Sequence, residues 1–583
     1  MASSLRNIPG ASPARRRRLG VRRRAPKGPG GGSLGFGPRS LHLERDDRRP
    51  DKGAKFRRLR HFDFGALFAG VLGLGTLALV IVLAYRGTRV HVEQTGLEDG
   101  SVINGLEGAA LDVQMTFKSP EDAESAELSF DGEVVEKPTI EGATMRWRPT
   151  GSLEEGEHTL SLAVPRVLLG DAHIHWDFTL DTTPPTVDVL PVTQAVGIDQ
   201  GATVAGKVEK GADLVVAGRA TDVAGDGSFG VSFARPPAGP VVIEVIDRAG
   251  NRSTASVVVP VTYPSTRGVH ATAAAWSNEG LRGRILQLLD DKRIDTVLLD
   301  LKADGGVVGF DTNVEKAREI GAVTEYYALD DAVTTIEAHG GRVVGRIAAF
   351  QDPIYAQAAW AAGDGDQVIQ SAGGGPYDAP GSFTNFAHPA VQRYNLDIAL
   401  DAIGRGVDDI MWDDVRLPED PDPTNVVVPA LQGSASDALV GFLADAQGEL
   451  RRRGAYQGIG VRGTSADRGA LVAQDMAQMA RHADYVVPEL HPAYWGDGEL
   501  GLDSPVNAPT DMVSRALLGF QQVTQGSGAL FVPSLQDFSA RGVTYGPEEV
   551  RAQIRGAAAV NVSRFFLWDP SVTYTAEALD PQP

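Results

Sequence analysis

The segment Asp408 to Pro418, DDIMWDDVRLP, runs from a short apolar core (Ile410, Met411, Trp412) into two carboxylates, Asp413 and Asp414, then Arg416 and a proline. Charged groups at the C-terminal end of a buried parallel strand are where barrel enzymes keep their chemistry. Burying them has a desolvation cost that a purely structural strand has little reason to meet. Five further apolar runs end alike. They lead into Asp300, Lys302 and Asp304; Arg346, Gln351 and Asp352; Glu489, His491, Tyr494 and Trp495; Gln536 and Asp537; and Trp568 and Asp569. Carboxylates at six of eight such ends, with aromatic neighbours, point to a cleft that binds sugar. Capping of a following helix explains Asp304 or Asp537 taken alone. It explains Lys302, Arg346 and Arg416 poorly.

The elements that must position these residues alternate in type. From Thr266 onward the eight runs are GVHATAAAW, TVLLDLK, RVVGRIAAF, DDIMWDDV, YQGIGVRG, DYVVPELHP, LFVPSLQD and SRFFLWD. Between them lie helical patterns. In ASDALVGFLADAQGELRRR, for example, Leu439, Phe442, Leu443 and Ala446 fall on one face. Strand–helix alternation implies a parallel sheet with right-handed crossovers, and eight units over 266–575 predict a closed (β/α)8 barrel of the TIM type. A doubly wound open sheet is the rival, but no Gly-rich dinucleotide turn follows the first strand. Only 14 residues remain after Asp569, so an eighth helix is expected to be missing or reduced.

Upstream, 89–183 and 184–262 carry short alternating strands broken by turn residues, such as HTLSLAV, HWDFTLD and PVVIEVIDRAGN. These resemble two bacterial immunoglobulin-like β-sandwiches, with DTTPP (Asp181 to Pro185) as a stiff junction. Neither contains an obvious catalytic cluster, so they read as spacers or weak glycan-binding modules.

The segments LLDLKADGG (Leu298 to Gly306), RIAAFQDP (Arg346 to Pro353), WDDVRLP (Trp412 to Pro418) and DYVVPELHPAYW (Asp484 to Trp495) stand in barrel order. Together they resemble a bacterial family of glycoside hydrolase-like barrels long catalogued as a domain of unknown function. Its members are similar to the wider clan of alpha-amylase-like and alpha-galactosidase-like barrels. The resemblance spans about 266–575. Its strongest part is an Asp-x-x-Arg-x-Pro pattern that Asp413 and Arg416 match. This sequence departs from the family where Asp414 replaces the usual tyrosine, Glu489 an apolar residue and His491 a frequent tyrosine.

Glycoside hydrolysis, which the resemblance implies, needs one ionised and one protonated carboxyl across the scissile bond. Asp413 is the expected ionised partner, nucleophile or base, ranked ahead of Asp414 and kept anionic by Lys302, Arg346 or Arg416. Glu489 is the expected acid, since an apolar strand would raise its proton affinity. Asp537 and Asp569 stand in reserve. Asp300, Lys302, Arg346, Asp414, Arg416, His491, Tyr494, Gln536, Asp537 and Trp568 are the expected substrate-binding residues. Tyr494 and Trp568, with Trp276, could stack on sugar rings, although core packing is the competing account. No cofactor or metal is expected: HxxH and HExxH are absent, and PEDPDP (Pro418 to Pro423) reads as a solvated loop before a calcium site. P-loop, nucleophile elbow and cysteine nucleophile are absent too.

The 583 residues carry a net charge of −20, very unevenly spread. Residues 1–60 hold 18 Lys and Arg against 4 Asp and Glu, a net of +14, which leaves −34 for the remainder. Phe64 to Tyr85 is then 22 residues without a charge, enough for a helix to cross a bilayer. The expected topology is a single-pass cell-membrane protein. Residues 1–63 form a disordered basic cytoplasmic tail that touches anionic lipid, 64–85 form a transmembrane helix, and the rest is extracytoplasmic. A cleaved signal peptide is the alternative. The tail lacks interleaved aromatics, so no nucleic-acid partner is expected. The chain therefore reads as an anchored glycoside hydrolase acting on a cell-wall or extracellular polysaccharide or oligosaccharide. The rival is a non-catalytic glycan-binding or envelope-organising protein on the same scaffold.

Overall fold

The computed structural model describes residues 90–166, 170–377 and 382–582, together with Gly75, Thr76 and Ala78. The basic tail, and the expected membrane span 64–85 apart from those three positions, lie outside the described residues. Among the described residues no helix is long and apolar enough to cross a membrane.

Two β units precede the barrel. In the first, a four-stranded sheet (Glu93–Thr95, Val113–Thr116, Thr144–Trp147, Thr139–Glu141) faces a five-stranded one built around Gly156–Val164 and Ala172–Leu180. Strict alternation in Gly156–Val164 buries Leu160, Leu162 and Val164 against Met115, Met145 and Trp147, which is why the sequence shows period two there. The second unit pairs a three-stranded sheet with a four-stranded one over Val204, Leu214, Val216 and Ile243. The turn after its strand Pro240–Ile246 locks the two units together. Asn251 donates its side-chain amide to the Asp181 carbonyl (2.8 Å), and Asn104 donates to the Ala249 carbonyl (2.9 Å).

Eight parallel strands form the barrel: β1 Arg267–Ala271, β2 Thr296–Lys302, β3 Arg342–Ala348, β4 Asp409–Asp413, β5 Tyr456–Arg462, β6 Tyr485–Leu490, β7 Ser534–Gln536 and β8 Phe565–Trp568. β1 pairs with both β2 and β8, so the sheet closes. All eight strands predicted from the apolar runs are present. Every residue of β2 is buried, as expected for strands covered on both faces. The crossover helix Ala435–Arg452 begins with a capping box between Ser434 and Asp437 and buries Leu439, Phe442, Leu443, Ala446 and Leu450. Among the described residues after β8 the helical element is the short turn Ala576–Ala578.

Inside the barrel, Leu298, Val344, Met411, Val487, Val532 and Phe566 form an apolar plug. Below it, at the N-terminal end, Tyr263 from the inter-domain connection stacks on Tyr485 (ring centroids 4.5 Å apart) and donates to Asp409 (2.7 Å). Arg342 also donates to Asp409, at 2.7 Å. The second β unit docks on this end, where Arg235 donates to the Arg452 carbonyl (2.9 Å) and Tyr456 to that of Thr262 (3.0 Å). The mouth therefore opens at the end opposite this interface.

Candidate active site

Above the apolar plug the inward positions become polar strand after strand. Arg346 of β3 is the hub. Its Nε donates to Asp413 Oδ2 (2.8 Å), its Nη1 to Asp300 Oδ1 (3.0 Å), and Asp304 lies 3.8 Å from Nη2. His270, at the end of β1, pairs through Nε2 with the same Asp300 oxygen (2.9 Å). Its ring lies flat on Trp568 of β8, with centroids 3.9 Å apart and planes 8° from parallel. The Arg346 guanidinium faces Trp568 at 5.4 Å from the ring centre. Strands β1, β2, β3, β4 and β8 thus supply one connected layer.

Asp413 and Glu489 come from strands separated by β5. That strand presents glycine at two positions where neighbours need the room. A Cβ on Gly458 would meet the Tyr485 ring at 2.2 Å, and one on Gly460 would lie 2.7 Å from Asp413 Oδ1. Next along β5, Arg462 stands in register with Glu489 of β6 and donates to Oε2 (2.9 Å). Its Nε donates to Glu419 (2.7 Å), on the loop after β4. Glu419, Arg462, Arg468, Glu489, Tyr494 and Trp495 line an open groove of about 810 Å³. Clefts of about 930 and 940 Å³ beside Trp147 and Trp176 on the first β unit are lined by residues of that unit alone.

The electrostatics separate the carboxyls. Burial pushes Asp413 upward, but the Arg346 charge and hydrogen bond, the Asp414 amide (2.9 Å to Oδ1) and Arg416 outweigh it, and the group is held below the ordinary carboxylate range. Burial raises Glu489, and so does the charge of Asp413. Arg462 opposes this only in part, so the net effect is a raised proton affinity. Asp414 is also raised, by burial and by Asp413. One ionised and one protonated carboxyl are what acid/base work across a bond requires. Asp300 is pulled down to about 2, where burial is outweighed by His270 and Arg346. His491, buried and repelled by Arg462, falls to about 3 and is neutral.

The other expected site residues are placed as follows. Asp414 has a left-handed backbone (φ 52°), an unusual state for a residue with a Cβ, which turns its carboxyl onto Arg416 (2.9 Å). Arg416 also donates to Gln351 (3.1 Å) and covers Phe383. His491 sits 2.9 Å from Ser534 Oγ and edge-on to Tyr494, which is 65% exposed at the groove. Lys302 does not reach the mouth. The pairing of β2 with β3 shifts register between Asp300 and Lys302, and the ammonium is fully buried on Asp352 (2.8 Å) and the Ala349 carbonyl (3.2 Å). Arg346, with help from Arg416, therefore holds Asp413 ionised. Gln536 is buried and occupied by the Ala493 amide and the Phe538 carbonyl, and Asp537 accepts from Thr575. Asp569 accepts from the Ser571 amide (2.6 Å), and Trp276 packs in the core. His270, Arg462, Glu419 and Gly460 escaped the sequence reading. His270 and Arg462 occupy the same kind of strand-end position as the residues it chose, and that position was the available signal.

Residues 268–574 match the family model described as "Putative glycosyl hydrolase domain". No curated protein matches the chain. Solved structures with similarity include the C-terminal domain of a putative chitinase from Desulfitobacterium hafniense DCB-2 (12% identity, 54% of this chain and 97% of that one, TM-score 0.35). The Bacillus cereus spore cortex-lytic enzyme SleL aligns at 8% identity over 56% of this chain and 76% of its own, with TM-score 0.34. A hypothetical protein from Ruminiclostridium thermocellum ATCC 27405 aligns at 23% identity over 31% of this chain and 92% of its own, with TM-score 0.29.

Proposed function

The chain belongs to this family of glycosyl hydrolase domains, and on that premise we propose that it cleaves a cell-wall or extracellular polysaccharide from an anchored position on the outer face of the cell membrane. One observation carries the chemical part: Asp413, held ionised by Arg346, stands across the glycine strand β5 from Glu489, whose proton affinity is raised. Asp413 acts as nucleophile or as base to water, and Glu489 gives its proton to the glycosidic oxygen as the C–O bond breaks. Glu489 opens on the groove beside Tyr494, so the leaving portion of the glycan lies there. Trp568, held flat on His270, is the wall for the ring whose anomeric carbon reacts.

The anchoring part rests on sequence: the basic tail, the uncharged stretch 64–85, and an acidic remainder. The two β units are read as immunoglobulin-like spacers; the second docks on the barrel end opposite the mouth, which supports a spacer role.

The test is release of reducing ends from a panel of wall and extracellular polysaccharides by the full chain and by Asp413→Asn. The wild type is expected to cleave at least one of them, and the variant to be slower by about 10²–10⁴-fold with its fold retained. Equal turnover in the variant removes Asp413 from the mechanism. No cleavage by the wild type, combined with a rise in melting temperature on adding oligosaccharide, makes the barrel a binding scaffold. Fractionation with protease protection reads the topology: the barrel should be digested from outside intact cells.

A further inference from the structure

Arg462 joins three consecutive strands through one planar group. Its Nε edge is bound to Glu419 from the loop after β4 (2.7 Å), and its Nη1 to Glu489 of β6 (2.9 Å). A guanidinium offers donors on separate edges in a fixed fork, so it can serve two carboxylates at once, which an ammonium on a flexible stem does less well. The Glu419 side chain is more exposed than that of Glu489. Its hold on the arginine is accordingly the weaker and more easily screened one.

Taking Glu489 as the proton donor proposed above, we infer that Arg462 is its positioning residue, and that Glu419, by drawing part of the guanidinium to itself, sets how readily Glu489 keeps a proton. Among the described residues, the charged and titratable groups acting most strongly on Glu489 come from three elements. Arg462 comes from β5, Asp413 and Asp414 from the end of β4, and Tyr494 from the loop after β6. Arg462 in turn faces Glu419 and Asp414, and repels protonation of His491. An arginine wholly committed to Glu489 would favour the carboxylate and lower its proton affinity. With no arginine, the new carboxylate would face Asp413 and Asp414 unopposed. Sharing gives the intermediate state: Glu489 holds its proton until transfer, the proton passes to the leaving oxygen, and the resulting carboxylate meets a cation already in place.

The inference is tested on the full chain by carbon-13 NMR of labelled glutamate side chains, with Glu489 assigned through Glu489→Gln. Glu419→Gln lies on an exposed loop and leaves the barrel strands untouched. In it Glu489 is expected to titrate at a pH about one unit lower. Arg462→Met should move it about one unit higher, and Arg462→Lys should restore most of the wild-type value. On any glycan that is cleaved, the basic limb of the kcat/KM profile should move with Glu489 in each variant. Unmoved Glu489 titration in both Glu419→Gln and Arg462→Met overturns the inference. Shifted titration in a protein that cleaves nothing supports the charge sharing and defeats the hydrolase reading. A basic limb that ignores the shift removes Glu489 as proton donor, and with it the role given to Arg462.

Discussion

Oδ1 of Asp413 occupies the space where a side chain on Gly460 would begin, 2.7 Å from an ideal Cβ at that position. Such a contact is closer than real Cβ atoms make, so alanine there must displace the carboxylate or the strand. The Asp413 carboxyl is already fixed on one oxygen by Arg346 and on the other by the Asp414 amide. With Asp413 in the role proposed for it, Gly460→Ala is expected to lower kcat/KM by about 10²-fold, the usual result of moving such a group by an ångström. The overpacking should also cost about 1–3 kcal/mol in denaturant unfolding. Wild-type kinetics in this variant would show that the position of Asp413 is not critical.

Asp300 couples the site to acid stability. Its folded value of about 2 lies below its unfolded value near 3.8, so between them the unfolded chain binds more protons. Its contribution is complete above about pH 4 and disappears as pH falls towards 2. A difference of that size is worth on the order of 2 kcal/mol. Asp300→Asn should lose that amount at neutral pH. The gap in melting temperature between variant and wild type should then narrow as the pH is taken from about 4 to 2. A gap that stays constant over that range would contradict the assignment.

Tyr263 closes the opposite end of the barrel. Tyr263→Phe removes a buried hydrogen bond to Asp409, whose carboxyl burial has pushed up to about 7. The expected cost is about 1.5–3 kcal/mol of unfolding free energy, with kcat/KM unchanged because the residue lies beneath the apolar plug. Reduced turnover at undiminished stability would show that the closed end communicates with the mouth. Tyr263 precedes β1, so a barrel fragment starting at Thr266 lacks it and should be less stable than one starting upstream of it.

Much of the scaffold is legible in the sequence. The eight apolar runs are the eight strands because a strand covered on both faces must be apolar throughout, and that leaves a plain mark in sequence. The two adjacent carboxylates differ in their surroundings: Asp413 accepts from Arg346, while Asp414, at positive φ, accepts from Arg416. Lys302 was misleading because one shifted residue in the β2–β3 pairing sends it to Asp352, and bulges of that kind leave no compositional trace. Gln536 and Asp537 stand at a strand end as expected, yet backbone groups of Ala493, Phe538 and Thr575 take up their hydrogen bonds.

The sequence by itself determined the alternation of strand and helix, the order of the strands, and the polar character of their C-terminal ends. Those properties follow from periodicity and burial, which are local. The tertiary structure alone decided who meets whom. It placed Arg346 between Asp300 and Asp413, set the Asp413 carboxyl against Gly460, and brought Glu489 within the field of Asp413. It also divided Arg462 between two glutamates that are 70 positions apart, Glu419 and Glu489. Proton affinities in a buried cluster depend on distances across the barrel mouth, and closing the barrel sets those distances.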